Sequence, residues 1–274
     1  MHKNVSLIII DGISAAWVNY YQKQLDMCGL LDDKYLYHYT KLESASKIIE
    51  SRKIRFGNIK LVNDINESSG PIYFQPKEYK SNLDDILKNY RFISFTRDGE
   101  KHGFDIPAMW GHYAERGKGV CLVINKKKLL SQLDDAIYTH DMYYSNTYDH
   151  DERYLDPSKY VSPTDFICNT KDELFFHKTL DWSYEQEFRL AVISDEIGEI
   201  DVAGSLEGVI VFAPSQKDFL ESFQYKQLKI IKEKLFLYRY CTTLGKWDLF
   251  DENGASLKPM PTIDMTATRG IIEL

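Results

Sequence analysis

The stretch Asp181–Leu190, DWSYEQEFRL, places Glu185, Glu187 and Arg189 at alternate positions. In an extended chain side chains alternate between faces, so residues two apart share a face with Cα atoms about 6.5 to 7 Å apart. Continued into Ala191–Ile193, the strand puts Trp182, Tyr184, Phe188 and Leu190 on an apolar face and Glu185, Glu187 and Arg189 on the other. Such a charged face is either wet or paired. One account is an ion pair of Arg189 with a glutamate on an exposed sheet face; the other is a carboxylate in the wall of a cleft. A second local reading is open, in which Ser183 and Gln186 form a capping box and Glu185 sits in a helical turn before the strand.

Outward from this stretch the chain alternates short strands with helices. KYLYHYT (residues 34–40) reads as a strand, and Thr40 with Glu43 as a capping box for a helix carrying Leu42, Ala45, Ile48 and Ile49, so His38 stands at a strand exit. KIRFG reads as a strand, LVNDINESSGP as a polar loop and LDDILKN as a helical turn. In YRFISFTRD (residues 90–98) period two points Phe92, Ser94 and Thr96 one way and Ile93 and Phe95 the other, which gives one hydroxyl-lined face. Pro107 starts a helix presenting Trp110, His112 and Tyr113, Gly117 caps it, and residues 120–124 form an apolar strand. GVIVFAP and LFLYRY read as strands, residues 216–234 as a helix, and DENG (residues 251–254) as the turn of a terminal hairpin. The pattern predicts an α+β fold: a mixed, largely antiparallel sheet with flanking helices, residues 35–274 forming one domain and residues 1–34 an accessory segment packed on it.

Composition excludes several classes. A chain of 274 residues that is 43% hydrophobic is long enough for a sizeable core. No apolar run approaches the 18 or so residues of a membrane span, and the opening run is broken by Asp11, so a cytoplasmic protein is expected. A net charge of −7 argues against nonspecific coating of nucleic acid, although NKKKLL and SRKIRF are basic runs. Cys28, Cys121, Cys168 and Cys241 are scattered, and His140 and His150 match no compact ligand set, so neither a disulfide framework nor a metal site is expected. Rossmann and Walker phosphate loops are absent from the sequence.

Three segments in order, YHYTKLESASKIIESRKIRF, then FISFTRD with MWGHYAERGKGVCLVI, then DWSYEQEFRL, resemble an uncharacterised bacterial domain family with members similar to abortive-infection proteins of phage defence. The same order is similar to the ADP-ribosyltransferase superfamily, where H-x-T ends the first strand and a hydroxyl-rich strand and a late glutamate enclose NAD in a split sheet. That resemblance implies that His38 and Thr40 bond the ribose or the nicotinamide amide, Ser94 and Thr96 support the cleft, Trp110 or Tyr113 stacks on nicotinamide, and Glu187 holds the ribose hydroxyl. A fixed carboxylate suits this chemistry because departure of nicotinamide leaves positive charge on the ribose. Glu185 would then deprotonate the acceptor, an unknown protein or nucleic acid.

Each of these residues also has a plain structural role open to it: Thr40 as a helix cap, His38 as a satisfied strand histidine, Ser94 and Thr96 as strand hydroxyls, Trp110 and Tyr113 as core aromatics. A noncatalytic sensor or partner-binding module is the alternative, with the glutamates paired to Arg189 and its neighbours. A metal-dependent hydrolase or nuclease using the same acids is a third.

Overall fold

A computed structural model describes residues 34–59, 62, 64, 67, 89–99, 101–145, 165, 169, 175–194 and 196–212, together with the backbone of 235–241 and 246–251. The accessory segment, the helices expected at LDDILKN and residues 216–234, His150, and most of the polar loop lie outside them.

The described chain is α+β. Thirteen strands are β1 (Tyr35–Thr40), β2 (Lys53–Arg55), β3 (Gly57–Asn58), β4 (Tyr90–Arg97), β5 (Val120–Asn125), β6 (Tyr138–Asp141), β7 (Tyr143–Tyr144), β8 (His177–Lys178), β9 (Glu187–Ile193), β10 (Glu199–Asp201), β11 (Leu206–Phe212), β12 (Leu235–Cys241) and β13 (Lys246–Asp251). The helices among the described residues are α1 (Leu42–Ser51), α2 (Pro107–His112) and α3 (Lys126–Leu130), with 3-10 turns at Glu115–Gly117 and Leu180–Glu185. The main sheet runs β13-β12-β11-β5-β1-β4-β9-β6, with β3 also on β4. All its pairings are antiparallel except β11 with β12.

Alternation divides the core between the two faces. Leu36, Ile93, Phe95, Leu122, Ile124, Phe188, Leu190 and Val192 build the main core with Ala45, Ile48 and Ile49 of α1. On the opposite face Tyr37, Tyr39, Val123 and Ile210 pack with Phe104, Met109 and Trp110, and separately Tyr90, Phe92 and Ala191 pack with Phe175 and Phe176. The sheet opens between β1 and β4. These strands share only the pairs Leu36↔Arg97 and Tyr37↔Thr96, whereas β4 and β9 pair from Tyr90↔Ile193 to Thr96↔Glu187. Further along, the same edge of β4 is taken by β3 at Gly57↔Phe92.

Several local expectations change. Thr40 is the last residue of β1, and the N-cap of α1 is Lys41 with no side-chain cap bond, so the strand extends through the expected capping box. Helix α2 starts at Pro107 but ends at His112; Gly117, at φ 83°, instead closes the following 3-10 turn. Gly119 is required by close approach, since a Cβ there would stand 2.3 Å from Thr40 O. Trp182 and Tyr184 belong to the 3-10 turn rather than to a strand, and Gln186 in the left-handed region (φ 45°) joins that turn to β9. Strands β12 and β13 pair antiparallel from Phe236↔Asp251 to Cys241↔Lys246, and the turn expected at DENG beyond Asp251 lies outside the described residues.

Candidate functional site

Between the two smaller cores, on the face they share, lies a cluster of buried charge. Cross-strand partners point to the same side, so Glu187 opposite Thr96 and Arg189 opposite Ser94 put all four side chains there. The Glu187 carboxylate is the hub. Its Oε1 accepts from Ser94 Oγ at 2.5 Å and Arg189 Nε at 2.7 Å; its Oε2 accepts from Arg189 Nη2 at 3.1 Å and lies 2.8 Å from Lys178 Nζ. Lys178 Nζ also donates to Glu185 Oε2 at 2.7 Å and stands 3.6 Å from Glu67 Oε2. Arg189 Nη1 donates to Glu67 Oε1 at 2.6 Å and to Phe175 O at 2.8 Å, and the guanidinium lies over the Phe92 ring at 4.1 Å. Glu185 Oε1 accepts from Tyr113 OH at 2.6 Å, and the Tyr144 hydroxyl accepts from the Glu187 backbone N–H at 2.9 Å.

Three carboxylates thus meet two cations, with Glu185, Glu187 and Arg189 at most 3% exposed. Burial alone would raise the carboxyl of Glu187, but Arg189 and Lys178 outweigh it and hold the pKa at about 2. Burial dominates at Glu185, whose pKa is raised despite Lys178 and Tyr113. Burial would likewise lower Lys178, yet Glu187 and Glu67 push it well above the ordinary lysine value. Two neighbouring acids are therefore driven in opposite directions, one fixed as an anion and one with a strengthened hold on a proton, the division of roles that acid–base sites use.

The residues singled out from the sequence are distributed as follows. Ser94, Thr96, Glu187 and Arg189 share one sheet face, Glu185 joins them from the 3-10 turn, and Tyr113 reaches Glu185 from the end of α2. The helical-turn reading of Glu185 is the observed one, although the N-cap position is Thr179, with no side-chain cap bond, rather than Ser183. The Thr96 hydroxyl is buried and has no hydrogen-bond partner among the described residues. His38 pairs with Leu122 and packs on Phe95, so its ring lies on the main-core face, opposite the Glu187 carboxylate. It reaches β4 only through Nδ1, which donates to Ser94 O at 3.0 Å where β1 diverges, and burial lowers its pKa. Trp110 is buried against Tyr39, its indole N–H donating to Phe104 O, and Thr40 ends β1 opposite Val120.

Lys178, Glu67 and Tyr144 were not singled out. Lys178 follows three apolar or aromatic residues in FFHK, where a lysine 6% exposed has to find acids; that position is the signal that was present. Glu67 lies in a polar run with no periodicity to mark it.

Residues 109–190 match a family described as a protein of unknown function, DUF2971. The matched segment runs from α2 into β9 and contains Tyr113, Tyr144, Lys178, Glu185, Glu187 and Arg189. No curated protein and no solved structure matches the chain.

Proposed function

We propose that the chain is an ADP-ribosyltransferase-like effector that uses NAD to modify a protein or nucleic acid, with phage defence as its setting. The observation that supports this most is the hydrogen bond from Ser94 on the central strand to Glu187 on the late strand, beside a second acid and at the place where the sheet opens. Residues at the site fit a nicotinamide dinucleotide in one checkable respect. The buried Thr96 hydroxyl, opposite Glu187, and Gln186 Oε1 both lack partners among the described residues. A primary carboxamide offers the acceptor and donors these two atoms need.

NAD supplies a glycosidic bond whose cleavage, with the electron pair leaving on nicotinamide, frees the ribosyl carbon for an acceptor oxygen or nitrogen. Glu187, ionised at every physiological pH, holds a fixed negative charge against the positive charge that develops on the ribose. Glu185 takes the proton that the acceptor gives up. Tyr113 orients Glu185 through its 2.6 Å hydrogen bond. His38 acts on the site through the main chain of β4.

The engagement of both glutamates by Lys178 and Arg189 favours a second reading, a noncatalytic sensor or partner-binding module in which the charge cluster holds a groove in shape. Labelled NAD added to the purified chain with lysates from uninfected and phage-infected cells separates the two. Transfer of label to a macromolecule supports the transferase. Binding of a partner with no transfer and no release of nicotinamide in any lysate supports the module.

A further inference from the structure

Four partners crowd the Glu187 carboxylate. Ser94 Oγ and Arg189 Nε meet Oε1 at 2.5 and 2.7 Å, and Arg189 Nη2 and Lys178 Nζ meet Oε2 at 3.1 and 2.8 Å. An ionised carboxylate offers about four lone-pair sites, two on each oxygen, so both oxygens are fully occupied. A ligand hydroxyl therefore reaches Glu187 only when one of these partners gives way.

Three of the four contacts are fixed by the sheet. Ser94 carries a short side chain on β4, directly opposite Arg189 on β9. Arg189 is wholly buried, with Nη1 held by Glu67 and Phe175 O and the guanidinium over Phe92. Lys178 is held differently. It comes from β8, which pairs with β7 in a two-stranded sheet apart from the main one. Its hydrogen bond goes to Glu185 Oε2 at 2.7 Å, and Glu67 Oε2 lies 3.6 Å away. Leaving Glu187 does not strand its charge, because two acids stay within reach, and its four-carbon stem lets the ammonium swing. The ribbon itself stays attached: Tyr144, the register partner of Lys178, accepts from the Glu187 backbone N–H.

We propose that Lys178 is a latch on Glu187, closed in the ligand-free chain, whose ammonium yields Oε2 to a ribose hydroxyl of NAD by shifting onto Glu185 and Glu67. This regulation rests on the function proposed above. The apparent affinity for NAD is then the intrinsic affinity reduced by the fraction of chains in which the latch is open.

Titration calorimetry of the full chain with NAD tests the latch through two variants that act in opposite directions. Lys178→Met keeps the length of the side chain and removes the charge, and should tighten NAD binding roughly tenfold, the equivalent of one charge-assisted hydrogen bond. Lys178→Arg supplies a two-pronged donor to the same carboxylates, and should weaken binding by a similar factor. A lysine that served only to neutralise the acids, or to attract the phosphates of NAD, would give the reverse order. Circular dichroism establishes that each variant is folded; if the methionine variant unfolds, the arginine variant decides. Wild-type affinity in a folded arginine variant, or weaker binding by a folded methionine variant than by wild type, overturns the latch alone. Absence of NAD binding in wild type and in both folded variants overturns the proposed function and the latch with it.

Discussion

Glu187 and Arg189, two positions apart on β9, clasp each other through two hydrogen bonds, Nε to Oε1 at 2.7 Å and Nη2 to Oε2 at 3.1 Å, with Arg189 wholly buried. Desolvating both ions is costly, and the cost is offset only while every partner is present. Arg189→Met leaves Glu187 and Glu67 short of a cation, and should destabilise the chain by about 3 to 5 kcal/mol in urea unfolding. Arg189→Lys should recover only part, since one ammonium cannot span Glu187, Glu67 and Phe175 O. A loss below about 1 kcal/mol for the methionine variant would mean that these charges behave as a hydrated surface pair.

The two acids should leave opposite marks on acid stability. Glu187 titrates at about 2 in the folded chain against an ordinary 4.5, so its contribution is complete above pH 4.5 and is lost as the pH falls toward 2. Glu185 is raised, so its protonated form contributes below pH 4.5, and that contribution is lost as the pH rises through its folded value. Urea midpoints measured across pH should therefore fall less steeply between 4.5 and 2 in Glu187→Gln than in wild type. Glu185→Gln should instead flatten the profile above 4.5. Identical profiles for both variants and wild type would contradict the opposed shifts.

Two hydroxyl deletions should differ in sign. Thr96→Val removes a buried hydroxyl without a partner, and should leave stability unchanged or raise it by about 1 kcal/mol. Tyr113→Phe takes the donor from Glu185 Oε1, and should cost about 1 to 3 kcal/mol. Thermal unfolding of both variants checks this; a destabilised Thr96→Val would show that its hydroxyl has a structural partner.

Much of the sheet was legible because its strands alternate cleanly. The period of two in Tyr90–Arg97 placed Ser94 and Thr96 together, and the same period in Glu187–Ile193 placed Glu187 with Arg189. Glu185 is harder to read because Gln186 adopts a left-handed conformation that only the tertiary packing of β9 against β4 selects. His38 shows the limit of pattern reasoning: its distance from Ser94 is short, but strand parity puts its ring on the far face, and parity across β1 and β4 follows from the register Tyr37↔Thr96. Lys178 and Glu67 reach the cluster from segments whose approach no local pattern encodes.

The central claim is that Glu187 serves a ribosyl cation. The most direct measurement is nicotinamide released from NAD by the purified chain, alone and with lysate, for wild type and for Glu187→Gln shown by circular dichroism to be folded. Release by wild type that falls at least a hundredfold in the variant is the predicted result. Equal release from both, or none from wild type under any condition, would contradict it.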